Sequence, residues 1–227
     1  MTVVHPPAAP IGYLPHGLDL ERPVDRRRFP RYAAMRGLAF DVVSDWDAHE
    51  TVVLSTRADV TQWVRAPDDR RIIVDLPDAF LDEPWGPKRG ARGLAKWASG
   101  EVGRPVLRYR RAMERMLERA DAVVCSTDRQ AERIARHNGN VHPILDFHGE
   151  FECLPPDALS SGRLDLVWEG LTATLPAIRP VLPALRSLAG GLEMRLHLVT
   201  DLDAPRYMNR FLARRTEDLV AGWGIDV

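Results

Sequence analysis

Cysteine and lysine are both scarce in this sequence of 227 residues. The two cysteines, Cys125 and Cys153, are too few for a disulfide framework, and no paired Cys or His spacing indicates a zinc site. Lys88 and Lys96 are the only lysines, so arginine supplies nearly all the positive charge, and the formal net charge is −1. A charge this close to balance gives no long-range attraction for nucleic acid or an anionic membrane.

Long apolar runs and a targeting segment are missing as well. No run approaches the roughly 20 residues of a membrane span, and residues 1–12 lack the basic start and apolar core of a signal peptide. Together with the low cysteine content, this predicts a reducing, cytoplasmic location. Hydrophobic residues make up 45% and charged residues 28% of the chain, which is typical of a globular protein.

Short apolar or β-branched runs alternate with longer stretches of helical periodicity. Most of the runs are continuously apolar, as in parallel strands that are covered on both faces. The alternation predicts βαβ units and an α/β fold with a doubly wound, Rossmann-like parallel sheet. The predicted strands are 38–43, 51–54, 71–76, 122–125, 141–145, 164–168 and 194–199.

Three helices are predicted from apolar residues spaced three and four apart. The first covers 106–120, and the second starts at the capping sequence Ser126-Thr127-Asp128 and ends before Asn138-Gly139. The third, near the end of the chain, is predicted from Tyr207, Met208, Phe211, Leu212, Leu219 and Trp223.

A turn-rich segment divides the chain into two predicted domains. Residues 1–153 form the first domain, 154–163 a linker and 164–227 the second domain. The βαβ pattern restarts only twice after the linker, and a two-stranded unit is marginal by itself. The second domain is therefore expected to be incomplete.

Four segments resemble parts of GT-B glycosyltransferases. Residues 120–127, Ala-Asp-Ala-Val-Val-Cys-Ser-Thr, and 140–146, Asn-Val-His-Pro-Ile-Leu-Asp, are similar to late strands of the family's acceptor domain. Residues 164–170, Leu-Asp-Leu-Val-Trp-Glu-Gly, and 194–201 resemble the first two strands of its donor domain. The resemblance implies an acceptor-side Rossmann-like domain followed by a donor-side domain that stops before the family's characteristic pair of glutamates.

The resemblance implies transfer of a sugar from a nucleotide-sugar donor to an unknown glycosyl acceptor, with retention of configuration and no metal or other cofactor. A lipid-linked acceptor would bring the protein to a membrane surface as a peripheral protein. The implied donor-binding residues lie at the carboxyl ends of the last two predicted strands. A backbone approach to phosphate at Gly170 and a helix start capped by Thr172 or Thr174 would suit a diphosphate, although an ordinary strand-to-helix turn is the alternative. The implied donor-binding residues are Glu169, Gly170, Thr172, Thr200 and Asp201.

Asp75 and Asp78 lie at the carboxyl end of predicted strand 71–76, the end where ligands bind in open parallel sheets. A carboxylate there can accept a hydrogen bond from an acceptor hydroxyl, which makes both residues candidate catalytic groups. The alternative is that they cap a turn.

Two further groups are ambiguous. Asp146 and His148 are expected at the mouth of an interdomain cleft, and their neighbours His142, Glu150 and Cys153 lack the spacing of a metal site.

The cluster Arg26-Arg27-Arg28 with Arg31 suits a phosphate or an acidic lipid head group, or else a solvated basic turn paired with Glu21 and Asp25.

Two other functions remain open. A catalytically inactive half-enzyme would act as a binding or assembly partner, with another protein covering the apolar edge of the incomplete domain. An unrelated dinucleotide enzyme is disfavoured because no Gly-x-Gly-x-x-Gly follows a predicted strand.

Overall fold

The computed structural model describes residues 10–82, 93–95, 97–100, 102–146, 163–206 and 209–227, with the backbone alone for 173, 203–206 and 209–214. Two units are present, Met1–Phe151 and Glu152–Val227. The predicted linker, apart from Arg163, lies outside the described residues.

The described part of unit 1 contains six parallel strands. They are β1 Ile11–Leu14, β2 Asp41–Val42, β3 Thr51–Leu54, β4 Arg71–Leu76, β5 Ala122–Cys125 and β6 Val141–Pro143. Their order in the sheet is β2-β1-β3-β4-β5-β6. The chain therefore moves outward from β1 in one direction to β2 and in the other to β3, as in doubly wound sheets.

Among the residues that the structure describes in unit 1, five α-helices accompany this sheet. They are α1 Pro23–Arg27, α2 Phe29–Arg36, α3 Val60–Trp63, α4 Tyr109–Arg119 and α5 Asp128–Ile134, and residues 93–95 and 97–98 are helical as well. Helix α5 begins where its sequence predicts, because the Thr127 hydroxyl accepts a hydrogen bond from Gln130 N. Helix α2 ends at Gly37, whose φ of 64° belongs to the left-handed region that favours glycine.

The two faces of the sheet are covered differently. On one face Leu54, Ile72 and Val123 pack against α3, α4 and α5 in the main hydrophobic core, which includes Trp63 and Leu117. The opposite face is covered beside β1 by an aromatic cluster in which the Tyr13 ring lies 5.0 Å from Phe29 and 5.7 Å from Phe40. Helices thus pack on both faces, but the second face is covered mainly near β1.

Unit 2 has two pairs of strands. Strands β7 Leu164–Glu169 and β8 Met194–Val199 are parallel, and β9 Asp203–Arg206 and β10 Asn209–Arg215 form an antiparallel pair. The 3₁₀ segment Thr172–Val181, helix α6 Leu182–Ala189 and helix α7 Thr216–Val220 complete the unit. Its small core contains Leu175, Ile178, Leu182, Leu196 and Trp223.

The α/β class and the parallel, Rossmann-like sheet are confirmed. Strands 51–54, 71–76, 122–125 and 194–199 have the predicted bounds, and the bounds of 141–145 and 164–168 differ from the prediction by two residues or fewer. Predicted strand 38–43 shortens to the two residues of β2, and β1 was not predicted. The GT-B arrangement and the incompleteness of the second domain stay predictions.

The predicted C-terminal helix is wrong for residues 209–215, and its first residues, Tyr207 and Met208, lie outside the described residues. Residues 209–215 form β10, which pairs with β9, and α7 starts only at Thr216. The Thr216 hydroxyl donates to Asp201 O at 2.6 Å and its backbone N donates to Leu202 O at 2.8 Å, which fixes the start of the helix. Pairing with a neighbouring strand has overridden the helical periodicity.

No helix in the described ranges has the length and apolar character needed to cross a membrane.

Replacement of Leu117 by alanine tests the packing of the unit 1 core. The side chain is fully buried, so Leu117→Ala should lower the free energy of unfolding by about 2–5 kcal/mol. Leu107, which is 67% exposed, provides the matched control, and Leu107→Ala should change it by less than about 0.5 kcal/mol. Urea unfolding followed by circular dichroism measures both, and equal losses would contradict the packing described.

Candidate functional site

Arg28 connects the carboxyl ends of β4, β5 and β6. Its Nε donates a hydrogen bond to Asp75 Oδ1 at 2.7 Å. Its Nη1 donates to Asp146 Oδ1 at 2.6 Å, to Ser126 Oγ at 3.1 Å and to Ile144 O at 3.3 Å. One buried guanidinium thus holds groups from three neighbouring strand ends.

The backbone places Arg28 at a break between two helices. Helix α1 ends at Arg27 and α2 begins at Phe29, so Arg28 lies between them with non-helical φ and ψ angles of −120° and −123°. Its side chain is 3% exposed. The sequence-based alternative of a solvated basic turn is therefore wrong for this residue. Its side chain points inward because the carboxylates of Asp75 and Asp146 accept hydrogen bonds from the guanidinium.

A second buried carboxylate, Asp25, fixes the chain just before Arg28. It accepts hydrogen bonds from Tyr13 Oη at 2.6 Å, His16 N at 2.9 Å and Gly17 N at 2.9 Å. Burial, followed by the bond to Asp25, raises the pKa of Tyr13. The backbone N–H groups after β1 are thus already bonded to an internal carboxylate, which leaves them unavailable to an external anion.

The pKa of Asp75, one of the two carboxylates bonded to Arg28, is shifted by its surroundings. Burial raises its pKa above the usual range, and the hydrogen bond and charge of Arg28 offset only part of that rise. For Arg28, burial opposes the charge, but the bonds to Asp75 and Asp146 outweigh it and raise the pKa. Arg28 therefore stays charged, and Asp75 is a better proton acceptor than an exposed aspartate.

The two carboxylate oxygens of Asp75 have different surroundings. Oδ1 receives Nε of Arg28, and Nη2 of the same guanidinium lies 2.6 Å away from it. Oδ2 has no hydrogen-bond donor within the described part of the chain. Asp75 is thus oriented through one oxygen and has the other available for a ligand.

A cavity of about 660 Å³ lies beside Arg28, Asp75 and Asp146, on the sheet face that α2 only partly covers. Alternate residues of the parallel strands form its floor, among them Val53, Ile73 and Val124, and Met35 of α2 contributes to its wall. Asp75 lines it two residues beyond Ile73 along β4, toward the carboxyl end of the sheet. The cavity has the size and the mainly apolar lining of a small-molecule site.

The carboxyl ends of β1 and β3 flank the point where the strand order reverses, which is the usual ligand position in doubly wound sheets. His16 Nδ1 lies 3.4 Å from Thr56 Oγ1, and Nη1 of Arg57 donates to His16 O at 2.9 Å. These residues, like β1, were not predicted from the sequence. The turn signal Pro15-His16-Gly17 after four apolar or small residues was available to find them.

The structure separates the two predicted catalytic residues. Asp75 is buried and lines the cavity, whereas Asp78 is exposed and does not line it. The backbone carbonyls of Leu76 and Asp78 accept hydrogen bonds from Gln130 Nε2 at 2.7 and 2.9 Å. Asp78 therefore belongs to a turn that α5 holds in place, as the alternative interpretation expected.

The predicted donor-binding residues share one end of the β7–β8 pair in unit 2. Glu169 pairs with Val199, and Gly170 N donates to Val199 O at 3.2 Å. Thr172 is buried and Glu169 is exposed. The Thr200 hydroxyl is buried without a hydrogen-bond partner in the described ranges.

The local structure of this loop differs from the expected capped helix. The segment after Gly170 is a 3₁₀ segment with Pro176 and Pro180 inside it, and no side chain caps its start. A Cβ at position 170 would lie 2.8 Å from Trp168 Cζ2, so packing of the indole accounts for the glycine. Binding of a phosphate at this loop stays a prediction.

The residues after β6 are only partly described. Asp146 binds Arg28, and His142 lines the cavity with its Nε2 2.8 Å from Asn140 Oδ1. His148, Glu150 and Cys153 lie outside the described residues. Among the residues that the structure describes, no three His, Cys, Asp or Glu side chains are grouped like metal ligands.

Neither the protein-family models nor the curated proteins compared with this sequence give a match. The resemblance to GT-B glycosyltransferases therefore stays a prediction.

Removal of the Arg28 guanidinium tests its structural role. Arg28→Met should lower the free energy of unfolding by about 3–5 kcal/mol, because Asp75 loses its partner while it remains buried. Arg110 provides the matched control, since its ion pair with Glu114 at 2.8 Å is exposed. Arg110→Met should cost no more than about 0.5 kcal/mol. Denaturant unfolding of both variants is the measurement, and a similar small loss for each would contradict the role given to Arg28.

Proposed function

We propose that this chain is a glycosyltransferase-like protein of the GT-B type, in which unit 1 binds the acceptor and unit 2 the nucleotide-sugar donor. The single observation that carries the proposal is Asp75. It is a buried, Arg28-oriented carboxylate at the carboxyl end of a central parallel strand, and it lines a cavity large enough for a small molecule. The sequence resemblance over 120–127, 140–146, 164–170 and 194–201 supplies the choice of reaction.

In the proposed reaction, Asp75 Oδ2 accepts the hydrogen bond of the acceptor hydroxyl. The acceptor oxygen forms a bond to the anomeric carbon of the donor sugar on the face from which the diphosphate leaves, so the configuration is retained as the resemblance implies, and the bond from that carbon to the diphosphate oxygen breaks. The nucleoside diphosphate leaves with the electron pair, and the hydroxyl proton passes to Asp75. The raised pKa of Asp75 suits a group that takes up this proton.

On the donor side, the proposal uses residues at the end of β7 and β8. Glu169, Gly170, Thr172, Thr200 and Asp201 are the residues that would surround the nucleotide-sugar, and the buried Thr200 hydroxyl has an unused hydrogen-bonding capacity within the described residues. No metal or other cofactor takes part. Cytoplasmic location is part of the same proposal.

One observation favours the second candidate, a binding or assembly protein without transferase activity. The donor loop begins a 3₁₀ segment and Gly170 is packed against Trp168, so the loop lacks the α-helix N-terminus that normally receives a phosphate. Under this alternative the unit 1 cavity binds its ligand without any chemical step.

A nucleotide panel separates the two candidates. Thermal unfolding with UDP, GDP, ADP and their sugar conjugates should show stabilisation by one nucleotide series. A ligand at a hundredfold excess over its Kd adds about 2.7 kcal/mol of stability. With that donor, transfer of the sugar to water or to an added alcohol should fall about 10²–10⁴-fold in Asp75→Asn.

The control variant Asp78→Asn should keep wild-type transfer, because Asp78 is exposed and lies outside the cavity. Nucleotide stabilisation should be unchanged in both variants. Stabilisation by no nucleotide, in a chain that still unfolds cooperatively, would overturn the transferase proposal in favour of the binding protein.

A further inference from the structure

The cavity of unit 1 is apolar over most of its lining. Ile73 and Val124 of the floor are only half-buried, and at its mouth Met35 and Leu145 are 62% and 77% exposed. Apolar side chains that remain this accessible around one concave surface are typical of a ligand site. A ligand that fills the cavity must therefore be largely apolar.

The charged groups of the cavity nearly balance one another. They are Arg27, Arg28, Arg31, Asp75 and Asp146. The Arg28 guanidinium is bonded to both aspartates, and Arg27 and Arg31 take part in interactions of their own. An anionic head group would meet the carboxylates of Asp75 and Asp146.

Asp75 offers a ligand a hydrogen-bond acceptor where the cavity reaches the carboxyl ends of the strands. Asp75 is 4% exposed, and its Oδ2 has no donor within the described ranges while Arg28 holds Oδ1. A buried carboxylate oxygen favours a ligand that donates a hydrogen bond to it. The two other strand-end groups, Ser126 Oγ and Ile144 O, already contact Arg28.

We propose that this cavity binds a neutral, largely apolar molecule with one hydroxyl group, whose O–H donates a hydrogen bond to Asp75 Oδ2. The hydrocarbon part lies over Val53, Ile73 and Val124, and the hydroxyl lies at the carboxyl end of the strands. The binding is independent of the transferase chemistry. Only the further step, that this molecule is the glycosyl acceptor, rests on the proposed function.

Displacement of a neutral fluorescent probe tests the chemistry of the head group. The full chain is loaded with N-phenyl-1-naphthylamine, which is then displaced by 1-decanol, by its methyl ether or by decanoate. The alcohol should bind about tenfold more tightly than the ether, which cannot donate to the carboxylate. It should also bind more tightly than decanoate. Equal affinity for alcohol and ether would overturn the role of the hydroxyl, and preference for decanoate would show an anion site instead.

Two pairs of variants locate the binding. Asp75→Asn should reduce the preference for the alcohol over the ether, and Asp78→Asn should leave it unchanged. Met35→Asp, at the exposed mouth, should weaken probe binding about tenfold or more, whereas Leu107→Asp, with an equally exposed apolar residue outside the cavity, should not. Probe binding that is insensitive to Met35→Asp would place the site elsewhere. If the chain binds the alcohol but no nucleotide, the proposed hydroxyl-binding cavity is supported and only the proposed transferase function is contradicted.

Discussion

A buried guanidinium needs acceptors to replace its water, and Arg28 finds them for Nε and Nη1 at three strand ends, while its Nη2 contacts Asp75 Oδ1 as an ion pair without a hydrogen bond. Its partners Asp75, Ser126, Ile144 and Asp146 come from β4 and from the residues after β5 and β6. Removal of either carboxylate would leave part of the Arg28 charge uncompensated in a low-dielectric environment. The same contacts fix the orientation of Asp75, so the polar end of the cavity depends on this one side chain. Asp25 completes the arrangement by holding the turn after β1 and the helix that leads to Arg28.

The sequence predicts the central strands of unit 1 well because their length and residue types favour a strand over a helix. Runs such as 71–76 and 122–125 are apolar, β-branched and too short for helices, and each is followed by polar residues. The edges were harder to predict. Strand β1 contains Gly12 and is followed by Pro15, which weakens its strand signal. Residues 209–215 have helical periodicity, but their pairing with β9 is a contact between chain segments that periodicity does not report.

The candidate site was predictable only in part. Asp75 was identified from its position at a strand end, a rule that holds for any parallel sheet. Asp78 fits the same rule three residues later, and only the structure shows that it belongs to an exposed turn. The central role of Arg28 was not predictable, because the sequence places it in a run of arginines and its main partner is 47 residues away. The apolar cavity was missed for a related reason, since it depends on how much of the sheet α2 leaves uncovered.

An NMR titration of the Asp75 side-chain carboxyl carbon tests this account most directly. Burial outweighs the influence of Arg28, so the titration midpoint should lie above the ordinary aspartate value of about 3.9. The folded chain would then keep this proton to a higher pH than the unfolded chain. The contribution of Asp75 to stability should therefore fall as the pH rises from the ordinary value through the raised one. A midpoint at or below the ordinary value would mean that Asp75 is a fully compensated structural ion, and it would contradict its assignment as the proton-accepting group of the site.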